Sequence, residues 1–145
     1  MGAPKVLLDT NILISALGWN GNPREIFLKC VRCELELVTS PEQLNELRRV
    51  MDYPKFMFTE EQKETFITIL LNIATMTEIS GSLKVITEDP DDNAILETAV
   101  VGNVCYIISG DPHLLKLKDE LTAGIHALIL LRPYNPYQIL IFFYL

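Results

Sequence analysis

A chain of 145 residues, 49% hydrophobic and 21% charged, has the length and composition of one compact domain, and excludes a two-domain enzyme, a coiled coil and a disordered polymer. The formal charge of −7, from 19 acidic against 12 basic side chains, excludes a generic basic coat for nucleic-acid phosphates. If nucleic acid is the partner, metal ions must supply much of the positive charge.

In chain order, Val6-Leu7-Leu8 reads as a buried strand that feeds a helix over Asn11 to Leu17. This apolar run is too short for a signal peptide, so the expected compartment is the cytoplasm. The loop from Gly18 to Pro23 leads to a helix over Arg24 to Arg32 and a strand over Glu36 to Thr39. Ser40-Pro41-Glu42-Gln43 is a capping box with proline at the first helical position, opening a helix with Leu44, Leu47 and Met51 on one face. Thr59-Glu60-Glu61-Gln62 repeats the box and opens a long helix with Phe66, Ile69, Leu70 and Ile73 inward. Another helix starts near Asp91-Asp92 and ends at Gly102, read as its C-cap, before a strand over Val104 to Ile108. Ser109-Gly110-Asp111-Pro112 turns into a further helix, and a last strand falls within Ile125 to Leu131.

Strands alternating with helices predict an α/β fold with a mainly parallel sheet. The domain is expected to span residues 1–133. The uncharged tail, residues 134–145, is too short for a membrane helix and is expected to pack as a helix or strand on the core or on another subunit, with a homodimer one outcome. Cys30 and Cys33 read as two thiols one turn apart on a helix, because no second pair completes a zinc site.

Four acids stand out by position. Asp9 and Asp111 each follow an apolar strand and precede a helix, which places them at the carboxyl edge of an open sheet. Each also suits an N-cap, as does Asp92 beside Asp91 at the start of its helix. Glu46 lies past capping reach on the flank of an apolar stripe, where a solvated glutamate is the plain alternative. Four carboxylates converging on one edge would repel one another unless a cation sat between them. With no histidine cluster or thiolate set alongside, the implied ion is a hard one, Mg²⁺ or Mn²⁺.

Val6-Leu7-Leu8-Asp9-Thr10-Asn11-Ile12-Leu13, Glu46-Leu47-Arg48-Arg49-Val50, Asp89-Pro90-Asp91-Asp92-Asn93-Ala94-Ile95-Leu96 and Ile108-Ser109-Gly110-Asp111-Pro112-His113-Leu114-Leu115 resemble, in order, the four signature segments of the PIN-domain nucleases. The resemblance is strongest to the prokaryotic VapC-like branch, the toxin components of toxin–antitoxin pairs. It implies a three-layer α/β/α fold with about five strands, and an acidic site holding Mg²⁺ or Mn²⁺ for endonucleolytic hydrolysis of single-stranded RNA. In this resemblance Asp9, Glu46, Asp92 and Asp111 match the acids. Asn11 and Ser109 are supporting positions, and Asp91 is the alternative third acid. The ion would lower the pKa of bound water and orient it on the phosphodiester. The long, apolar C-terminus departs from the family pattern and leaves the sheet edge and partner surface open.

Arg48, Arg49 and Lys116, with Lys55 and Lys118, are candidates for the flanking phosphates, while Trp19 and Tyr53 are candidates for stacking a base. The plain alternatives are solvated charges and packed rings, and His113 reads as a helix-surface residue. An antitoxin partner follows from the resemblance alone. An RNA-processing nuclease without an antitoxin, or a non-catalytic PIN-like binding module, are the other readings, and the four retained acids weigh against the last. An aspartyl phosphatase would want a second aspartate where Asn11 stands.

Overall fold

The computed structural model describes residues 2–82, 90–109, 127–131 and 139–143. Strand β1 (Lys5–Leu8) lies mid-sheet and pairs in parallel with β2 (Glu36–Thr39) on one side and β4 (Tyr106–Ser109) on the other. Its partners are in register at Val6 with Leu37 and at Leu8 with Ile108. The two-residue β3 (Thr75–Met76) extends the sheet beyond β2, also in parallel. Beyond β4 lie β6 (Ile139–Phe143) and then β5 (Ala127–Leu131), giving the order β3-β2-β1-β4-β6-β5. β6 is antiparallel to both neighbours, so β5 runs in the direction of β4. The sheet thus has six strands where about five were expected, the extra one coming from the apolar tail.

Helices α1 (Thr10–Gly18), α2 (Asn22–Val31), α3 (Pro41–Met51), α4 (Glu60–Ile73) and α5 (Pro90–Val101) flank it. Side chains alternate across a strand, so successive residues of β1 face opposite layers. Val6 and Leu8 join one core with Ile12 and Leu13 of α1, Phe27 of α2, Leu47 of α3, and Phe66 and Leu70 of α4. Leu7 and Ile107, 0% exposed, stand outside that cluster and take the other face. There α5 buries Ile95, Leu96 and Ala99. With both faces covered the strands need unbroken apolar runs, as in Val-Leu-Leu and Tyr-Ile-Ile. Burial of each such side chain stabilises the fold by about 1.5–3 kcal/mol.

Four local expectations are corrected. The capping box at Thr59 is complete, whereas at Ser40 only the hydroxyl caps, accepting from the Gln43 amide at 3.3 Å. The Gln43 side chain goes elsewhere, to the Leu8 carbonyl and the Thr39 hydroxyl. Along α4 the inward positions are Phe66, Ile67 and Leu70, with Ile69 37% exposed. The left-handed residue after α5 is Asn103 (φ 58°) rather than Gly102. Gly102 is required by space, since a Cβ there would lie 2.6 Å from Val38 Cγ1 and 2.7 Å from the Thr98 carbonyl. Cys30 and Cys33 do not share a helix. Cys30 is buried in α2, while Cys33 lies past its end, exposed, at φ 62°. Burial pushes the Cys30 thiol up to about 12, which keeps it protonated and unsuited to ligate a metal.

Candidate active site

Asp9 follows β1 directly and occupies the N-cap position of α1, yet its carboxylate makes no capping hydrogen bond. It is 4% exposed and accepts a hydrogen bond of 2.5 Å from the Ser109 hydroxyl, at the end of the neighbouring β4. The backbone accounts for this direction. The Asp9 amide donates to the Ile108 carbonyl at 3.0 Å, so the β1–β4 ladder runs to the sheet edge and brings residues 9 and 109 together.

The next residue, Thr10, is buried and donates from its hydroxyl to Glu46 Oε2 at 2.6 Å. Glu46 is therefore half-buried against the entrance of α1 instead of lying solvated on the helix surface. α3 is held in that place by its own N-terminus. Gln43 donates to the Leu8 carbonyl and accepts from Thr39 at 3.0 Å, which ties the first turn of α3 to the ends of β1 and β2. Ser40 accepts a further bond of 2.8 Å from the buried Thr98 hydroxyl of α5, so three elements meet behind the site. Thr10 and Thr98 carried no sequence signal beyond being polar residues beside apolar ones, and Gln43 was legible only as a capping-box residue.

Asp91 and Asp92 lie, in backbone, in the first turn of α5. α5 leads into β4, which runs parallel to β1, so that first turn is at the same carboxyl edge as Asp9. Their side chains, and Gly110, Asp111, His113, Lys116 and Lys118 altogether, lie outside the described residues. Among the described residues no group of three or more histidine, cysteine or acidic side chains gathers as metal ligands. What Asp9, Thr10, Glu46 and Ser109 offer is a set of carboxylate and hydroxyl oxygens, which suits a hard divalent cation. Asn11 is exposed in the first turn of α1. Arg48 and Arg49 are exposed on α3, and Arg48 lines a cleft of about 200 Å³ with Asp52, Glu60, Lys63 and Glu64. Lys63, held by Asp52 at 2.7 Å and Glu60 at 2.6 Å, is raised above the ordinary lysine range by those two carboxylates.

Sequence reasoning also missed Glu97. This α5 carboxylate is 4% exposed and accepts from the Gly81 amide at 2.9 Å and from the Ser82 amide, the Ser82 hydroxyl and the Ser80 hydroxyl, each at 3.1 Å. Its signal was an acid inside the apolar run Ala94 to Val101.

A mainly parallel sheet with helices on both faces and oxygen donors at its carboxyl edge is the architecture of an α/β protein whose site lies at the strand ends. The family model described as the PIN domain matches residues 5–113, and the chain belongs to that family. PIN domains are generally nucleases that use divalent metals. The fold is similar to one chain of the crystal structure of VapBC2 from Rickettsia felis bound to a DNA fragment from their promoter. The TM-score is 0.56 at 18% identity, over 79% of this chain and 92% of that one. No curated protein matches. No helix among the described residues is long and apolar enough to cross a membrane.

Proposed function

We propose that this protein is a metal-dependent endoribonuclease acting on single-stranded RNA, and the toxin component of a toxin–antitoxin pair. The observation that carries the reading is the Asp9 carboxylate. It stands at a helix N-terminus, buried, without capping the helix, beside the Thr10 contact that holds Glu46. An aspartate at an N-cap position ordinarily caps its helix, and this one is turned to the sheet edge. The similarity to a VapBC2 chain supports the toxin assignment, with an antitoxin as protein partner. Residues 1–133 are taken as the PIN domain, and residues 134–145 as its tail. The cytoplasm is the proposed compartment, and a homodimer the proposed assembly.

Asp9, Glu46, Asp92 and Asp111 would hold Mg²⁺ or Mn²⁺, with Asp91 the alternative to Asp92. When bound, the ion supplies an acidified water and charge neutralisation at the phosphoryl oxygens. The Ser109 hydroxyl orients Asp9, and the Thr10 hydroxyl orients Glu46, so that both carboxylates keep fixed rotamers. Asn11 supports the first segment, while Arg48, Arg49 and Lys116 would hold phosphates flanking the scissile bond.

The test is cleavage of a labelled single-stranded RNA pool with Mg²⁺, Mn²⁺ or EDTA, beside Asp9→Asn and Asp111→Asn. Metal-dependent cutting lost in both folded variants is the expected result. Cutting that survives EDTA, or that persists in Asp9→Asn, would refute the reading. Growth arrest on expression, relieved by co-expressing a cognate partner, tests the toxin assignment separately.

A further inference from the structure

The far ends of α1 and α3 carry a second feature, an aromatic cluster that is only half covered. Trp19, at the C-cap of α1, is 54% exposed, and Tyr53, just past α3, is 43% exposed. Between them stand Phe56 and Phe58. The Tyr53 and Phe56 rings lie within 7° of parallel with centroids 6.4 Å apart, and Phe56 and Phe58 within 12° at 5.5 Å. Trp19 meets Phe56 and Phe58 edge-on at 6.2 and 6.3 Å. The Lys55 ammonium stands 5.1 Å from the centre of the Phe56 ring.

Phe56 and Phe58 pack against the margin of the core, and hydrogen bonds and a turn hold the segments that carry the exposed rings. Arg24 donates to the Ala16 and Leu17 carbonyls, each at 2.8 Å, and to Asn20 Oδ1 at 2.6 Å, which braces the segment carrying Trp19. On the other side, the turn Pro54–Phe56 closes with Met57 in the left-handed region at φ 54° and 86% exposed. Rigid, partly exposed ring faces beside a cation are the surface that unpaired bases stack on, because every base has a π-face and every nucleotide a phosphate. In a chain of net charge −7, the exposed Lys55 supplies a cation at the rings themselves. α1 runs from Thr10 to Gly18, about 13 Å at 1.5 Å per residue, so the cluster lies a few nucleotides from the Thr10–Glu46 contact.

We infer that the Trp19–Tyr53–Phe56 cluster with Lys55 is a stacking platform for unpaired bases of single-stranded RNA, holding the strand a few nucleotides from the acidic edge. The inference rests on the nuclease reading for its ligand, and its test does not depend on cleavage.

Trp19 is the only tryptophan in the chain, so its emission reports on the platform directly. The experiment titrates the full-length Asp9→Asn protein in EDTA with decamers of uridylate and adenylate and with a duplex RNA of the same length. Emission and the polarisation of a labelled strand are followed together. Single strands are expected to quench Trp19, the duplex to leave it unchanged, and Tyr53→Ala to weaken single-strand binding about tenfold, with a smaller loss in Lys55→Ala. Both side chains are exposed, and circular dichroism checks that the variants fold. Unchanged Trp19 emission on a bound strand, equal affinity in folded Tyr53→Ala, or no single-strand binding would overturn the inference. If the wild type cleaves RNA while Trp19 stays silent, the platform fails alone. If Trp19 is quenched and the wild type cleaves nothing, the nuclease reading fails alone.

Discussion

The entrances of α1 and α4 present the same local problem, a set of unpaired helix amides, and treat it differently. At α4 the Thr59 hydroxyl accepts from the Gln62 amide at 3.1 Å, and the Gln62 side-chain oxygen accepts from the Thr59 amide at 2.8 Å. At α1 the N-cap residue is Asp9, among the best residues for that role, and its side chain does not cap. It accepts instead from Ser109, on another strand, in a buried setting. One entrance spends its polar side chains on the helix itself. The other directs a carboxylate to the sheet edge, where Thr10 also holds Glu46. In the proposed reading, a residue type that favours capping, placed so that it does not cap, is a position kept for chemistry.

That contrast can be broken by substitution. Asp9→Asn has the largest expected effect, an RNA-cleavage loss on the order of 10²-fold or more, with the melting temperature unchanged or raised because no cap is lost and a buried charge is removed. Cleavage rates beside a thermal melt check it. Glu46→Gln is next, since its amide oxygen still accepts from Thr10 while the charge is gone. A loss of cleavage about tenfold or more with little change in stability is expected from the same pair of measurements. Ser40→Ala, measured by urea unfolding, should cost about 1–2 kcal/mol, because the hydroxyl both caps α3 and accepts from Thr98. Thr59→Ala sharpens the comparison from the other side. It removes an exposed capping box, costing about 1 kcal/mol of stability, and should leave the cleavage rate unchanged.

Much of the sheet was legible because its signals are strong and local. The unbroken run at Val6 to Leu8 belongs to a strand covered on both faces, and the Pro-started helix after Ser40 follows from capping chemistry. What escaped depends on contacts between distant segments. Nothing near Gln43 indicates that it leaves its capping box for the Leu8 carbonyl, 35 residues away. Ile67 rather than Ile69 turns inward because the packing of α4 on the core, not the helical period alone, sets which face is covered. Gly102 looked like a left-handed cap, and its reason is the approach of Val38 and the Thr98 carbonyl. At the site, Asp9 and Glu46 were both legible as candidates, but the hydroxyls of Thr10 and Ser109 that orient them were seen only in part. Ser109 was read as a supporting position, and Thr10 appeared only within the first signature segment, outside the helix expected over Asn11 to Leu17.

The most direct test of the central claim, that Asp9 serves a cation and not its helix, is calorimetric titration of Mn²⁺ into the wild type and Asp9→Asn, with the melting temperature of each recorded in the absence of metal. The account predicts that the wild type binds the ion, that the variant binds at least tenfold more weakly, and that the metal-free variant melts no lower than the metal-free wild type. Equal Mn²⁺ binding in both, or a metal-free variant that melts several degrees lower as the loss of a cap would require, would contradict it.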